Sequence, residues 1–476
     1  MKHLSLRLIV CGTIITLMLT ACASASPASQ PLTPTLDPSR LVIESEAIAR
    51  VDALLSQMAE GGTFTGSVLV AEKGEVLLSQ GYGYADREQK IPNTPQTRFR
   101  LASVTKQFTA MAILILQNQG KLDVQDPICN YIADCPAAWK GITIHHLLTH
   151  TSGITVMPRD YNSIKATHFT PEQLIGHFKD SPLDFQPGEK WSYSNCGYML
   201  LGYIIEQVSG QSYEAVTQQS IFTPLNLSDS GYIHNSSDLA VGYANQYSAT
   251  PAEFIDSSIS YAAGALYSTV EDLYRWDQAL YTERLLPQTQ LDQMFAPQAI
   301  MHPGDPAGAA YGYGWFVMND QSRLLVYHEG VISGFKTAIA RYPDDQITII
   351  VLCNQEDLVD TLYLIKWMLM DETVTILADG GYTITFAGPL QAQAGGTLQA
   401  DLFVTDPSGH AASGVLLSAT LGDPPTDPRA THTSGALGPN GTFYLSLPVD
   451  WPAGTTRLYC EFRNKVYKVT EMTINP

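Results

Sequence analysis

The sequence predicts an α/β (α+β) architecture: an antiparallel sheet flanked by helices, a separate helical lobe, and a C-terminal β-sandwich. Three observations carry the prediction. A hairpin pattern opens the folded part, a mostly helical stretch occupies roughly residues 101–290, and strands return from Tyr311 before a final helix. A hairpin, a helical insertion, a strand meander and a closing helix make up a sheet covered on its faces by helices. Beyond about Glu372 the pattern changes to short alternating segments set between Gly, Pro and Asp, the spacing of an immunoglobulin-like sandwich.

At the N-terminus Lys2 and Arg7 precede an apolar run from Leu8 to Thr20, the layout of an export signal, and shorter than the roughly 20 residues a membrane span needs. The run ends in Leu19-Thr20-Ala21-Cys22, which resembles the cleavage box of bacterial lipoproteins, where the cysteine is lipidated and becomes the mature N-terminus. Residues 1–21 are therefore expected to be a lipoprotein signal peptide, with Cys22 anchoring an exported chain to a membrane of the cell envelope. Simple secretion is the alternative, because Ala21, Ala23 and Ala25 also satisfy the small-residue rule for cleavage. Residues 22–42, rich in Pro, Ser and Ala, read as an extended tether.

A helix is expected around Ser45–Met58, and Gly66–Ala71 and Glu75–Ser79 flank a turn at Lys73-Gly74 as the two arms of a hairpin. Val104–Gln119 is apolar nearly all round at Met111–Leu116 and is stopped by Gly120, which marks a buried helix. Strands follow at Tyr311–Phe316, Leu324–Tyr327, Phe335–Ala340 and Gln346–Leu352, and a helix from Asp357 to Met370 closes a core spanning residues 43–370. In residues 371–476 strands are expected at Tyr382–Phe386, Leu398–Val404, Val415–Ala419, Phe443–Leu447, Leu458–Phe462 and Val466–Val469, with no catalytic constellation among them.

Composition narrows the partners. With 46 acidic against 27 basic residues the formal net charge is −19, and no Lys/Arg run relieves it, so nucleic acid is not an expected partner. At 45% hydrophobic and 15% charged residues the chain has the apolar content of a folded protein. Of seven cysteines, Cys11 and Cys22 belong to the signal and its cleavage box. Cys129 and Cys135 are candidates for a small disulfide loop, and Cys196, Cys353 and Cys460 are expected to be buried thiols.

The chemistry is carried by three short motifs. Ser103-Val-Thr-Lys106 sits where the buried helix begins, and three residues are nearly one helical turn, so hydroxyl and amine share a face. A free hydroxyl is a poor nucleophile until a neighbouring base takes its proton, and a helix N-terminus favours the negative charge that then develops. Tyr193-Ser194-Asn195 lies just before an apolar helix, where polar residues project into clefts. His328-Glu-Gly330 places a glycine at a strand end, where a ligand can approach the backbone closely. Ser103 as a helix cap, Tyr193 as a core tyrosine, Asn195 as a cap and His328 as a surface histidine are the duller readings of the same residues.

In this order and spacing, Ser-x-x-Lys, Tyr-x-Asn and His-x-Gly resemble the serine β-lactamase and penicillin-binding-protein family, particularly its class C-like and esterase-like members. The resemblance covers about residues 43–370 and extends to His146–Gly153, Pro187-Gly188 and Ala262–Thr269. It implies that Ser103 is the nucleophile and that Lys106 and Tyr193 share the general-base task, with the choice between them open. It further implies that Asn195 positions substrate, and that the N–H groups of Ser103 and Val331 form an oxyanion hole beside Gly330. His328 departs from the pattern, since lactamases of this type usually carry lysine there. A histidine is largely neutral at pH 7 and suits a substrate carboxylate poorly. Ester or D-amino-acid peptide substrates are therefore expected ahead of β-lactams, without a cofactor. His145, His146 and His150 lack the glutamate of His-Glu-x-x-His, so packing or capping is expected of them rather than a metal site. The rival from another class is a catalytically silent envelope binding protein of the same fold.

Overall fold

The computed structural model describes residues 43–475 apart from 235–237, 246–249, 304–307, 321–322, 357–360 and, after Leu369, most connections between strands. The expected signal peptide, Cys22 and the tether lie outside the described residues.

Helix α1 (Ser45–Glu60) turns Ala47, Val51, Leu55 and Met58 inward, the three-and-four spacing of one helical face. The hairpin follows as β1 (Gly66–Glu72) and β2 (Glu75–Tyr82), and both turn residues, Lys73 and Gly74, take positive φ of 50° and 84°. That is the turn whose twist matches paired strands. The lobe then supplies α2 (Thr105–Asn118), α3 (Ile144–Leu148), α4 (Asn195–Ser209), α5 (Ser257–Gly264) and α6 (Val270–Ala279). Helix α2 is buried without a break from Thr105 to Leu116, which explains its apolar circumference, and Gly120 at φ +67° ends it. Cys129 and Cys135 are disulfide-bonded, whereas Cys196, Cys353 and Cys460 are free and buried.

The meander comprises β3 (Ala299–Ile300), β4 (Ala310–Tyr311), β5 (Phe316–Asp320), β6 (Arg323–Ile332), β7 (Phe335–Tyr342) and β8 (Ile347–Cys353), closed by α7 (Thr361–Leu369). With the hairpin it forms one eight-stranded sheet in the order β2-β1-β8-β7-β6-β5-β4-β3, antiparallel at every pairing. Strands β1 and β8 are apolar on both faces because both are covered. Val68, Val70, Ile349 and Val351 pack with α1 and α7, while Leu69, Ile350 and Leu352 join the core around α2.

Two expectations are corrected. Tyr311–Phe316 is not one strand but two, split at Gly312–Trp315. The break lets the chain lie against α2: Gly314 has φ +79°, and a Cβ there would come 2.7 Å from the Lys106 carbonyl oxygen. Strand β6 extends well past Tyr327, so His328 lies inside a strand at 1% exposure rather than at its end. The polar His-Glu pair breaks the apolar pattern, but β7 continues the ladder opposite them with Ile339 and Ala338.

Among the described residues after α7, nine strands form two sheets. Thr373–Leu377, Thr383–Ala387, Thr397–Thr405 and Thr442–Pro448 make an antiparallel set of four. Gln391–Gln393, Lys465–Asn475, Gly454–Phe462, Leu416–Leu421 and Thr431–Ala436 make the other, with one parallel pairing, Gln391–Gln393 on Lys465–Asn475. Thr373–Leu377, Gln391–Gln393 and Thr431–Ala436 were not expected from the sequence; the last, Thr-His-Thr-Ser-Gly-Ala, has almost no apolar signal.

Candidate active site

Ser103 sits in a tight turn, Ala102–Val104, that feeds α2. The turn is held from both sides. Leu101 N–H donates to Leu266 O at 2.8 Å, and Leu101 O accepts Val104 N–H at 3.2 Å and the Thr337 hydroxyl of β7 at 2.8 Å. Ala102 is kept at φ +47°, a left-handed conformation that costs an L-residue roughly 1–2 kcal/mol. The surrounding bonds impose that strain directly before the nucleophile candidate.

One turn on, Lys106 is fully buried. Its Nζ lies 2.8 Å from Asn195 Oδ1, 2.8 Å from Ala263 O and 3.1 Å from Ser103 Oγ. The two amide oxygens can only accept, so they take two N–H bonds and the third tetrahedral direction faces Ser103. Burial pushes the Lys106 pKa well below its usual 10.5, which favours the neutral amine. In that form the direction facing Ser103 is a lone pair.

Tyr193 comes from the junction before α4. Ser194, not Asn195, caps that helix, its Oγ accepting Gly197 N–H at 3.0 Å. Tyr193 hydrogen-bonds to the Ser103 side chain, and burial raises its hydroxyl above the usual 10. The Lys106 ammonium position is 4.9 Å from the Tyr193 ring centre. Asn195 lines the cleft, giving Oδ1 to Lys106 and donating from Nδ2 to Met157 Sδ at 3.3 Å.

The third motif divides. Gly330 is where β6 presses on the Ala102–Val104 turn; a Cβ there would lie 2.3 Å from Leu101 O and 2.9 Å from Ser103 N. Ile332 and Phe335 pair across the two-residue turn Ser333-Gly334, so they form the mutually bonded pair, and Val331 opposite Lys336 is the non-bonded one. The Val331 N–H thus points away from β7. Strand β5 leaves β6 at Tyr327, so that edge is open beside Ser103.

His328, expected among the substrate-binding residues, does not line the cleft. Its Nδ1 donates to Glu329 O at 2.6 Å, so Nε2 is the bare nitrogen and accepts the Tyr311 hydroxyl at 2.8 Å. Burial first, then the nearness of the Lys106 amine, which a second proton on His328 would repel when charged, depress its pKa from 6.5 to about 3.

The three histidines singled out from the sequence each have described contacts. His146 closes a capping box with Thr143 on α3, and His145 Nδ1 meets the Tyr313 hydroxyl at 2.8 Å. His150 is buried behind Tyr193. Among the described residues no group of His, Cys, Asp and Glu is arranged to hold a metal ion. The cleft in front of Ser103 encloses about 530 Å³, between Ala102, Ser103 and Asn195 on one side and Val331–Ser333 on another. Sequence reasoning missed the Ala263 carbonyl and the strain at Ala102; backbone groups leave no residue-type signal.

A family model described as Beta-lactamase matches residues 51–366, which contain all the groups above. The chain belongs to the β-lactamase family. Among curated relatives, penicillin-binding protein 4* of Bacillus subtilis is 31% identical over 66% of this chain and 72% of its own length. The putative penicillin-binding protein PbpX of the same organism is 33% identical over 61% and 71%. Among solved structures, a penicillin-binding protein from Bacillus halodurans matches 67% of this chain and 97% of its own, with 26% identity and a TM-score of 0.58. An octameric penicillin-binding-protein homologue from Pyrococcus abyssi shares the fold over 90% of this chain and 96% of its own, at 23% identity and TM-score 0.61. Membership makes this chain a serine hydrolase of the β-lactamase and penicillin-binding-protein kind.

Proposed function

We propose that the protein forms an acyl-enzyme at Ser103 and hydrolyses short esters or amides and peptides of D-amino acids, with β-lactams as poorer substrates. The reading is carried by the Lys106 amine, whose two N–H bonds are spent on Asn195 and Ala263 so that its remaining valence meets Ser103 Oγ at 3.1 Å. Lys106 takes the serine proton as Oγ bonds to the substrate carbonyl carbon, and the oxyanion rests on the N–H groups of Ser103 and Val331. Tyr193, held neutral, relays the proton to the leaving group. Loss of that group leaves the acyl on Ser103; water then attacks the acyl carbon and gives one proton to Lys106, and as the Oγ–carbon bond breaks Lys106 passes that proton to Oγ, releasing the acid.

Charge in the cleft supports the substrate choice. The one cationic side chain among the described lining residues, Lys165, is paired with Glu253 at 2.6 Å, and Glu356 adds a carboxylate that accepts Gly334 N–H at 3.3 Å. With His328 neutral behind the cleft, a substrate carboxylate meets no unpaired cation among the described lining residues. A D-amino acid amidase from Ochrobactrum anthropi, solved with L-phenylalanine amide, is 26% identical over 65% of this chain and 91% of its own, with TM-score 0.56. We infer also that the chain is exported and lipid-anchored through Cys22, that residues 22–42 act as tether, and that residues 371–476 form an accessory domain.

The test is hydrolysis of p-nitrophenyl acetate and D-alanine p-nitroanilide by the protein and its Ser103→Ala variant, with and without chelator. Turnover lost in the variant and indifferent to chelator is expected. Equal turnover by both proteins contradicts the serine mechanism, and ligand binding without turnover in either favours a silent binding protein.

A further inference from the structure

His150 has a role that neither helix capping nor the catalytic set absorbs. It is fully buried, and its backbone has φ +60°, a region that non-glycine residues seldom enter, Asn, Asp and His more often than the rest. Its contacts bracket Tyr193. The His150 carbonyl accepts Ser192 N–H at 2.9 Å, and its Nδ1 accepts Ser194 N–H at 3.1 Å. The imidazole ring centre lies 4.2 Å from that of Tyr193. The residues before and after the tyrosine are thus bonded to one residue, and the phenol ring rests on that residue's side chain.

The bonding fixes the imidazole's state. A backbone N–H can only donate, so Nδ1 carries no proton and Nε2 carries the only one. Burial, reinforced by Lys106 and His328, keeps the ring neutral, and its other neighbours are the rings of Trp191, Tyr198 and Tyr311.

We propose that His150 is a positioning residue that holds the Tyr193 hydroxyl on Ser103. This rests on the reading that Ser103 and Tyr193 perform the acyl transfer. A tyrosine at a loop-to-helix junction has two side-chain torsions and a pliable backbone, and a proton relay needs it kept within hydrogen-bond reach. The clamp supplies this without touching substrate.

The full chain and its His150→Asn, His150→Leu and His150→Gln variants test it through kcat and KM on p-nitrophenyl acetate, normalised by active-site titration. Asn places an oxygen where Nδ1 stands and tolerates positive φ; Leu has the same outline without an acceptor; Gln reaches toward Nε2 instead. His150→Leu is expected to lower kcat about 100-fold with KM within about twofold, the scale of a small misplacement of a reacting group. His150→Asn is expected to stay within about tenfold of the parent. If the Leu variant does not fold, the same contrast is read between Asn and Gln. Equal losses in Asn, Leu and Gln, or a fall in thermal midpoint with kcat unchanged, would overturn the proposal. Ser103→Ala with parental activity would instead overturn the reading beneath it.

Discussion

Ser103 has no carboxylate or histidine at hydrogen-bond distance in its described contacts, so on the proposed mechanism its activation rests on an amine that burial disfavours in the charged form. Because the Lys106 pKa lies well below 10.5, kcat/KM is expected to rise with pH on a limb set by that depressed value. Lys106→Met is expected to lower kcat by about 1,000-fold, the range of a positioned proton acceptor; pH–rate profiles and single-turnover rates check both. His328 bears on stability instead. Its folded pKa, about 3, is below the 6.5 of an unfolded histidine, so between these values the unfolded chain binds more protons and stability falls as pH falls. The slope from this group is at most about 1.4 kcal/mol per pH unit. His150, shifted in the same direction, adds to it. His328→Gln is expected to flatten unfolding free energy between about pH 6 and 4, as read by denaturant titration at each pH; an unchanged slope contradicts the buried neutral assignment. At this scale the sequence made legible which side chains, Ser103, Lys106, Tyr193 and Asn195, come together, because each stands in a motif of recognisable spacing. The burial of His328 was not legible, since its motif position says nothing about which way the side chain faces.

Strand β6 and helix α2 form the site by touching, and the contact depends on the absence of a side chain at one position. Gly330→Ala would bring a methyl 2.3 Å from Leu101 O, a backbone atom that cannot step aside without moving the nucleophile turn. A kcat loss of about 100-fold is expected, with burst kinetics showing slowed acylation. Helix α6 is fixed to the sheet by another device. Arg341 of β7 meets Asp277 of α6 at 3.0 Å with both fully or almost fully buried, and Thr348 of β8 donates to Asp277 at 2.6 Å. Removing one partner strands a buried charge, so Asp277→Ala is expected to cost about 3–5 kcal/mol in denaturant unfolding. The hairpin and α2 were legible because turn chemistry and all-round apolarity are local signals. The split of Tyr311–Phe316 and the full length of β6 were not, because Gly314 answers to α2 and His328 answers to β7, both distant in sequence.

Across the whole molecule, every group assigned to the chemistry comes from residues 101–331, and the cleft lining reaches only to Glu356. Deleting residues 371–476 is therefore expected to leave kcat on p-nitrophenyl acetate within about twofold, with any loss confined to stability or localisation. The family was legible from three motifs in order, because acyl transfer demands a nucleophile, a base and an oxyanion site. The number of C-terminal strands was not, since polar edge strands such as Thr431–Ala436 carry little apolar alternation. Covalent acylation tests the central claim most directly. Intact-mass spectrometry after brief mixing with p-nitrophenyl acetate, followed by peptide mapping, should show one acetyl group, on Ser103, absent from Ser103→Ala and persistent enough to trap at low pH. An acetyl group on any other residue, or turnover with no acylated serine, would contradict the account.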